Sequence, residues 1–387
     1  MIDVIHVITP GDHFSPRTGS AIPTVVHGLA AAASRTGDPM RHAVVLERTT
    51  MRPHYDSATV IEYAGVPRPG RREKILDLVR GRLGRPRTAV GRYYEPIADA
   101  VRGLPPGIVL AHNAPVLPWL LRDSPHRVVL YAHNDLLRTY SRGEAGRMLD
   151  RVAAIVCVSA SLAQLTRAAL PEHFADRVRV VANGVDCTQF APAGASDAQA
   201  SVERGRRLRV MFVGRMIAEK GPDVLVRAAG RLRRPDLEIV LVGSHGFARD
   251  AGLSPYEREL RRLAEQSGAD IRFEPFVDRM ALPELLRSAD MLVVPSRWAE
   301  PSGLTASEGL ATGLPVIVSR MGGLPGVVGD AGLLVAPDDP DALAAAIQAL
   351  ADDPGERARL AAASREYALA HDWEWAWGHL RRVLEDL

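Results

Sequence analysis

Two sets of six short, continuously apolar runs mark this chain, and they narrow its possible folds more than any other feature. The first set is IDVIHVIT (2–9), HAVVLE (42–47), GIVLAH (107–112), RVVLYAH (127–133), AAIVCVS (153–159) and RVRVVAN (177–183). The second is RVMFVG (209–214), EIVLVG (238–243), IRFEPF (271–276), MLVVPS (291–296), PVIVS (315–319) and LLVA (333–336). Runs that are apolar throughout, rather than at every second position, suit strands covered on both faces, as in a parallel sheet between layers of helices. Helix-like stretches such as DVLVRAAGRLRR (223–234) fall between them. The expected class is therefore α/β, with two Rossmann-like, doubly wound parallel-sheet domains in tandem.

A chain of 387 residues with 47% hydrophobic content is long enough for two cores. The polar, small-residue stretch APAGASDAQASVERGRR (191–207) has no apolar period and reads as part of a connection. The predicted domains are 1–187, a linker over 188–207, a second domain over 208–370, and a terminal helix over 371–387 that returns to the first domain.

Charge and cysteine usage exclude several classes. A net charge of +2 with 24% charged residues gives no global pull towards nucleic acid or an anionic membrane, so no nucleic-acid partner is expected. No stretch approaches the roughly 18 uninterrupted apolar residues of a membrane span, and integral membrane association is not expected. The strand-like run at residue 2 begins with no leader before it, so the chain reads as cytoplasmic, with Cys157 and Cys187 as incidental thiols. No Cys/His cluster has metal-ligand spacing and the G-x-x-x-x-G-K-[ST] phosphate loop is missing; neither a metal nor another cofactor is expected.

Doubly wound sheets bind ligands in the loops at the carboxyl ends of their strands, which predicts a cleft between the domains. Residues 291–318 read as strand, polar loop, short helix and strand. Pro301, Ser302 and Gly303 permit a tight turn, and Leu304 to Ala311 has the composition of a short helix ended by Gly313. The amides from Gly303 through Leu304 to Thr305 and the positive end of that helix suit an anion, with Glu300 and Glu308 as flanking carboxylates. FVGRMIAEKGP places Arg215 and Lys220 just past a strand, two cations of the kind a pyrophosphate needs. Only Lys74 and Lys220 are lysines among 48 basic residues, and a lysine retained against that bias is one whose compact ammonium matters.

Past the first strand, Gly19 and Ser20 open the first helix, and a residue without a Cβ there leaves room for a phosphate or sugar. His112 and His133 both occur in Ala-His-Asn at a strand end and should both reach the ligand edge. A structural role is the alternative for His112, and His133, followed by Asn134 and Asp135, is the stronger candidate. Residues 68–87 concentrate basic side chains, a solvated surface or, more sharply, a short membrane-surface helix.

Taken together, N-G-V-D (183–186) with Phe190, G-R-x(4)-K-G (214–221), P-S (295–296), E-P-x-G (300–303) with Glu308, and G-L-P-V-I (313–317) resemble the retaining, GT-B-fold, nucleotide-sugar-dependent glycosyltransferases of family four. The resemblance implies that Arg215 and Lys220 neutralise the donor diphosphate and Glu308 accepts from the ribose hydroxyls. Glu300 would hold hydroxyls of the transferred sugar, and His133 would contact that sugar near its reacting face. Phe276 and Val277 stand where the family places the base, and the three tryptophans of DWEWAWGHL (372–380) resemble its returning helix. Ser302 replaces the usual Phe, and Gly326 the usual Glu after G-G-L-P, which implies a reshaped sugar pocket. The FSPRTGSAIPTVV loop (14–26) further resembles enzymes that glycosylate 2-deoxystreptamine in kanamycin-like and gentamicin-like antibiotic pathways. The implied partners are a UDP-sugar donor, carrying glucose or N-acetylglucosamine, and a small-molecule acceptor. A dicationic aminocyclitol would need rim carboxylates, and Asp12, Asp135 and Glu144 are available. The alternatives are a lipid or polysaccharide acceptor, and a nucleotide-binding regulatory protein without turnover.

Overall fold

A computed structural model describes residues 3–194, 207–246 and 252–387. The described chain forms two compact units, one of residues 1–183 with 373–387 and one of residues 184–372.

The first unit holds seven parallel strands, β1 (Val4–Val7), β2 (His42–Glu47), β3 (Thr59–Tyr63), β4 (Ile108–His112), β5 (Arg127–Ala132), β6 (Ala154–Cys157) and β7 (Val178–Val180), in the order β3-β2-β1-β4-β5-β6-β7. Their apolar composition follows from two covered faces. Ile5, Val7 and Val109 pack with Ile97 and Val101 of the Thr88–Arg102 helix, while Ile8, Val44 and Leu46 pack with Phe14, Ile22 and Val26 on the other side. Each such buried side chain contributes about 1.5–3 kcal/mol. Strand β3, TVIEY, is absent from the apolar runs; it is an edge strand, half-exposed along most of its length.

The Trp373–Glu385 helix lies against the Ala21–Arg35 helix within this unit. Trp373, Trp377, Leu380 and Leu384 are buried there, the Trp377 indole donates to Asp38 at 3.2 Å, and Arg35 pairs with Glu374 at 3.0 Å.

The second unit holds six parallel strands, β8 (Leu208–Val213), β9 (Leu237–Val242), β10 (Ile271–Glu274), β11 (Met291–Val294), β12 (Val316–Ser319) and β13 (Leu333–Val335), in the order β10-β9-β8-β11-β12-β13. The predicted start of the linker at 188 is corrected. The Asp186 carboxylate accepts from the amides of Thr188 and Gln189, and Phe190 is wholly buried with Leu292, Leu310 and Val316, so the chain is already part of the second core. Residues 195–206 of the predicted linker lie outside the described residues. Asp339 and Asp353 cap the Pro340–Asp352 and Pro354–Leu369 helices through side-chain bonds to first-turn amides, which sets the breaks in the helical tail. Among the described residues, no helix is long and apolar enough to cross a membrane.

Candidate active site

In each sheet the strand order reverses direction once, between β1 and β4 in the first unit and between β8 and β11 in the second. Adjacent loops diverge at such a switch point and leave a crevice at the carboxyl edge.

In the second unit, the loop after β8 carries Arg215 and Lys220 and the loop after β11 carries Glu300. Gly221 brings these loops together, because it has a φ of +68° and a Cβ built on it would stand 2.1 Å from the Pro295 carbonyl oxygen. No other residue type fits there. The Lys220 ammonium lies 2.5 Å from the Glu300 carboxylate, which is 5% exposed, and the Ser296 hydroxyl donates to the same oxygen at 2.7 Å. Lys220 also lies 5.7 Å from the Trp298 ring centroid. Arg215 is exposed, and its carbonyl accepts from the Ile217 amide at 2.9 Å. The expected roles divided Lys220 and Glu300 between phosphate and sugar; the fold joins them as one ion pair.

Behind the pair, Arg297 forks onto Asp223 with two contacts of 2.6 Å, Tyr256 donates to Asp223 at 2.6 Å, and Arg297 reaches Asp338 at 2.7 Å. Burial acts to raise the Asp223 carboxyl, but the bonds from Arg297 and Tyr256 outweigh it and hold it below the usual carboxylate range. The Arg297 amide also donates to the Glu219 carbonyl at 2.9 Å, next to Lys220. This network braces the two loops against each other.

Gly303, with a φ of +103°, caps the Leu304–Ala311 helix, where an added Cβ would meet Leu324 at 2.6 Å. Its amide and those of Leu304 and Thr305 head the helix, where intrahelical partners are missing by construction. Ser302 is buried beside them. One helical turn on, Glu308 is 3% exposed and accepts from the Arg279 guanidinium at 2.6 Å. Arg279 was not among the sequence candidates. Its signal was its place two residues past Val277, which packs half-buried against the same core; the pairing spans 29 residues and needs the tertiary fold.

In the first unit, Asp12 accepts from the Ser20 hydroxyl at 2.9 Å, and burial raises its carboxyl above the usual value. Gly19 is exposed beside it. Arg68, from the basic run, donates to the Pro10 carbonyl at 3.2 Å and to the Tyr93 hydroxyl at 3.1 Å, so the head of that run is docked on the β1 loop. His133 follows β5 and is 7% exposed, with Asn134 exposed and Asp135 half-buried after it.

Two expectations need correction here. His112 does not reach the edge: it is fully buried, with hydrogen bonds to His6 at 2.9 Å and His133 at 2.8 Å. Glu144 does not offer a rim carboxylate, since it is buried and paired with Arg87 at 2.6 Å, under a guanidinium 3.7 Å from the Tyr140 ring. Sequence reading also missed Asn113, whose side chain accepts the His133 amide at 2.8 Å and so fixes where that residue sits.

Known proteins similar to this chain bear on this geometry. The model of the family described as glycosyl transferases group 1 matches residues 195–367. The matched stretch, less than half of the chain, contains every candidate residue of the second unit, from Arg215 to Glu308. The D-inositol 3-phosphate glycosyltransferase of Xylanimonas cellulosilytica is 40% identical over 212 residues, covering 52% of this chain and 49% of that protein. The chain thus spans about half the length of the relatives of that name that it matches. Spore coat protein SA of Bacillus subtilis is 29% identical over 313 residues, covering 76% of this chain and 81% of that one. Among solved structures, Anabaena Alr3699/HepE in complex with UDP and glucose superposes with a TM-score of 0.74 at 18% identity, covering all of both chains. The sucrose-phosphate synthase of Thermosynechococcus elongatus gives 0.76 at 21% identity, covering 100% of this chain and 99% of that one. The fold is GT-B.

Proposed function

We propose that this protein is a retaining hexosyltransferase that moves glucose or N-acetylglucosamine from a UDP-sugar to a cyclitol, with the aminocyclitol 2-deoxystreptamine as the acceptor and antibiotic biosynthesis as the setting. The observation that carries the reading is the convergence of Lys220, Glu300 and the head of the Leu304–Ala311 helix around the β8/β11 switch point. A diphosphate is a dianion or more, and cations and helix amides are what meet it at such a point. Arg215 and Lys220 take the phosphate charge, so no metal is required of the protein. Glu300, released from Lys220, accepts from hydroxyls of the sugar, and Glu308 with Arg279 stands at the ribose. Val277 lies at the base and Ser302 by the sugar. In the first unit His133 contacts the sugar, Gly19 leaves backbone room for the donor, and Asp12, Asn134 and Asp135 select the acceptor.

The acceptor hydroxyl enters on the face the phosphate leaves: the bond from the anomeric carbon to the UDP oxygen breaks, the bond to the acceptor oxygen forms, and the departing phosphate takes the acceptor proton. Positioning and charge stabilisation supply the rate. The relatives named for D-inositol 3-phosphate support a cyclitol acceptor. UDP release measured with UDP-glucose and UDP-N-acetylglucosamine against 2-deoxystreptamine, inositol 3-phosphate and a lipid acceptor tests the reading. Turnover with the aminocyclitol is expected; turnover with the phosphorylated cyclitol alone would replace the acceptor, and UDP release with none of them would remove the function.

A lipid acceptor has one specific observation in its favour. On the Arg71–Arg82 helix, Asp77 and Gly81 are buried, while Ile75, Leu76, Val79 and the following Leu83 are 52%, 57%, 48% and 69% exposed, with Arg71, Arg72, Lys74 and Arg80 around them. An apolar stripe set in basic residues suits an anionic membrane surface. Flotation with anionic liposomes checks it, and a protein that stays at the bottom of the gradient removes it.

A further inference from the structure

The first unit contains a line of four buried histidines. His42, His6, His112 and His133 come from β2, β1, β4 and the end of β5, four neighbouring strands. The register places His42 opposite Val4, His6 opposite Leu110 and His112 opposite Tyr131. Each histidine therefore stands one strand over and two residues further along than the one before. Steps of two keep side chains on one face of a sheet, so the line runs diagonally towards the carboxyl edge. The rings are linked nitrogen to nitrogen: His42 Nδ1 to His6 Nε2 at 2.9 Å, His6 Nδ1 to His112 Nε2 at 2.9 Å, and His112 Nδ1 to His133 Nε2 at 2.8 Å. Stacking of Tyr131 on both His112 and His133, at 4.9 and 4.7 Å, limits ring rotation.

Burial lowers the basicity of all four rings, His42 to about 4 and His133 to about 3. All are neutral near pH 7, and a neutral imidazole has one N–H and one bare nitrogen. Four rings bring four N–H groups, three of which fill the links. The fourth must stand at one end, on His42 Nε2 or on His133 Nδ1. His42 Nε2 is buried with no hydrogen-bond partner. An N–H placed there would be a buried donor without an acceptor, the rarest kind of orphan in a folded protein. His133 Nδ1 is not so enclosed, and water or a ligand can accept from it.

We propose that His112 is a positioning residue that donates to His133 Nε2 and thereby fixes His133 as the tautomer with its proton on Nδ1, a neutral donor to a sugar hydroxyl or phosphate oxygen. The proposal rests on the reading above for the statement that His133 meets the substrate; the tautomer itself does not depend on it. His133 in this form donates a hydrogen bond and does not act as a base.

Nitrogen NMR of protein labelled in its histidine rings reads each tautomer directly, without substrate. In the unaltered protein, His133 is expected to show a protonated Nδ1 and a bare Nε2 near pH 7, and His42 a bare Nε2. In His112→Leu the His133 signals should move towards a mixture of tautomers, and kcat should fall about tenfold with KM for the donor nearly constant, the loss of one transition-state hydrogen bond. His112→Gln, whose amide can donate to the same nitrogen, should restore the Nδ1–H form and most of kcat. A proton on Nε2 of His133 in the unaltered protein overturns the proposal. So does an unchanged His133 tautomer in His112→Leu accompanied only by lower stability. Should His112→Leu fail to fold, the unaltered spectrum decides alone, and absence of glycosyl transfer with the expected tautomers would count against the function and not against the histidine line.

Discussion

Lys220 and Glu300 neutralise each other, and the same is true of Arg279 and Glu308, yet the two pairs have different consequences. Lys220 is 23% exposed and sits by the glycine turn, so it can exchange a carboxylate for a phosphate. Lys220→Ala should lower turnover by about two orders of magnitude, comparable with the loss of an oxyanion donor, in a steady-state assay of UDP release; near-normal turnover would remove its role. Arg279 meets a carboxylate that is 3% exposed, and truncating it strands that charge. Arg279→Leu should therefore destabilise the second unit by about 3 kcal/mol, seen as a lower urea midpoint, and a midpoint within error of the unaltered protein would show that water or another group takes its place. The roles of Arg215, Lys220, Glu300 and Glu308 remain proposals, but their places in the second unit were legible in the sequence because each lies near a strand end or a helix start that is recognised locally. Arg279 and the histidine line were not, since both depend on strand register and on contacts between distant segments. Sequence shows a histidine in an apolar run but not which ring lies one strand over.

At the scale of elements, continuous apolar runs identified every strand of the second sheet and all but one of the first. The exception, β3, is an edge strand in which Tyr63 is the one buried residue. The basic run at 68–87 shows the reverse. Its charge density suggested a solvated surface, but Arg68 and Arg87 serve as struts, one on the β1 loop and the other on Glu144, while its apolar residues point outward. Among helices, Trp373–Glu385 offers the clearest test. Trp377 is 2% exposed and bonds to Asp38, so Trp377→Ala should cost the first unit about 3–5 kcal/mol, measured by chemical denaturation. A loss below about 0.5 kcal/mol, the range of ordinary surface changes, would mean that the helix is not integral to that unit.

At the scale of the whole molecule, the buried histidines make stability depend on pH. Their folded pKa values lie below the unfolded value of about 6.5, His42 at about 4 and His133 at about 3. Between those limits the unfolded chain binds protons that the native one refuses, so the contribution is complete above pH 6.5 and declines as pH falls. Each histidine adds a slope of up to about 1.4 kcal/mol per pH unit. The urea midpoint of the first unit should fall steeply from pH 6.5 to pH 5, and His6→Leu should flatten that fall; a flat profile in the unaltered protein would show that the rings protonate without unfolding.

The first unit is built from residues 1–183 and 373–387, whereas the second is continuous, with Val185 bridged to Asp372 at its two ends. During synthesis the first sheet is made first but finished last. Its 183 opening residues must wait, without Trp373 and Trp377 to cover the Ala21–Arg35 helix, while the ribosome makes the whole of the second unit. The later unit can close around its own ends as soon as Asp372 has emerged. The first unit is thus the later of the two to be completed, and until then one apolar face of its Ala21–Arg35 helix lacks its cover.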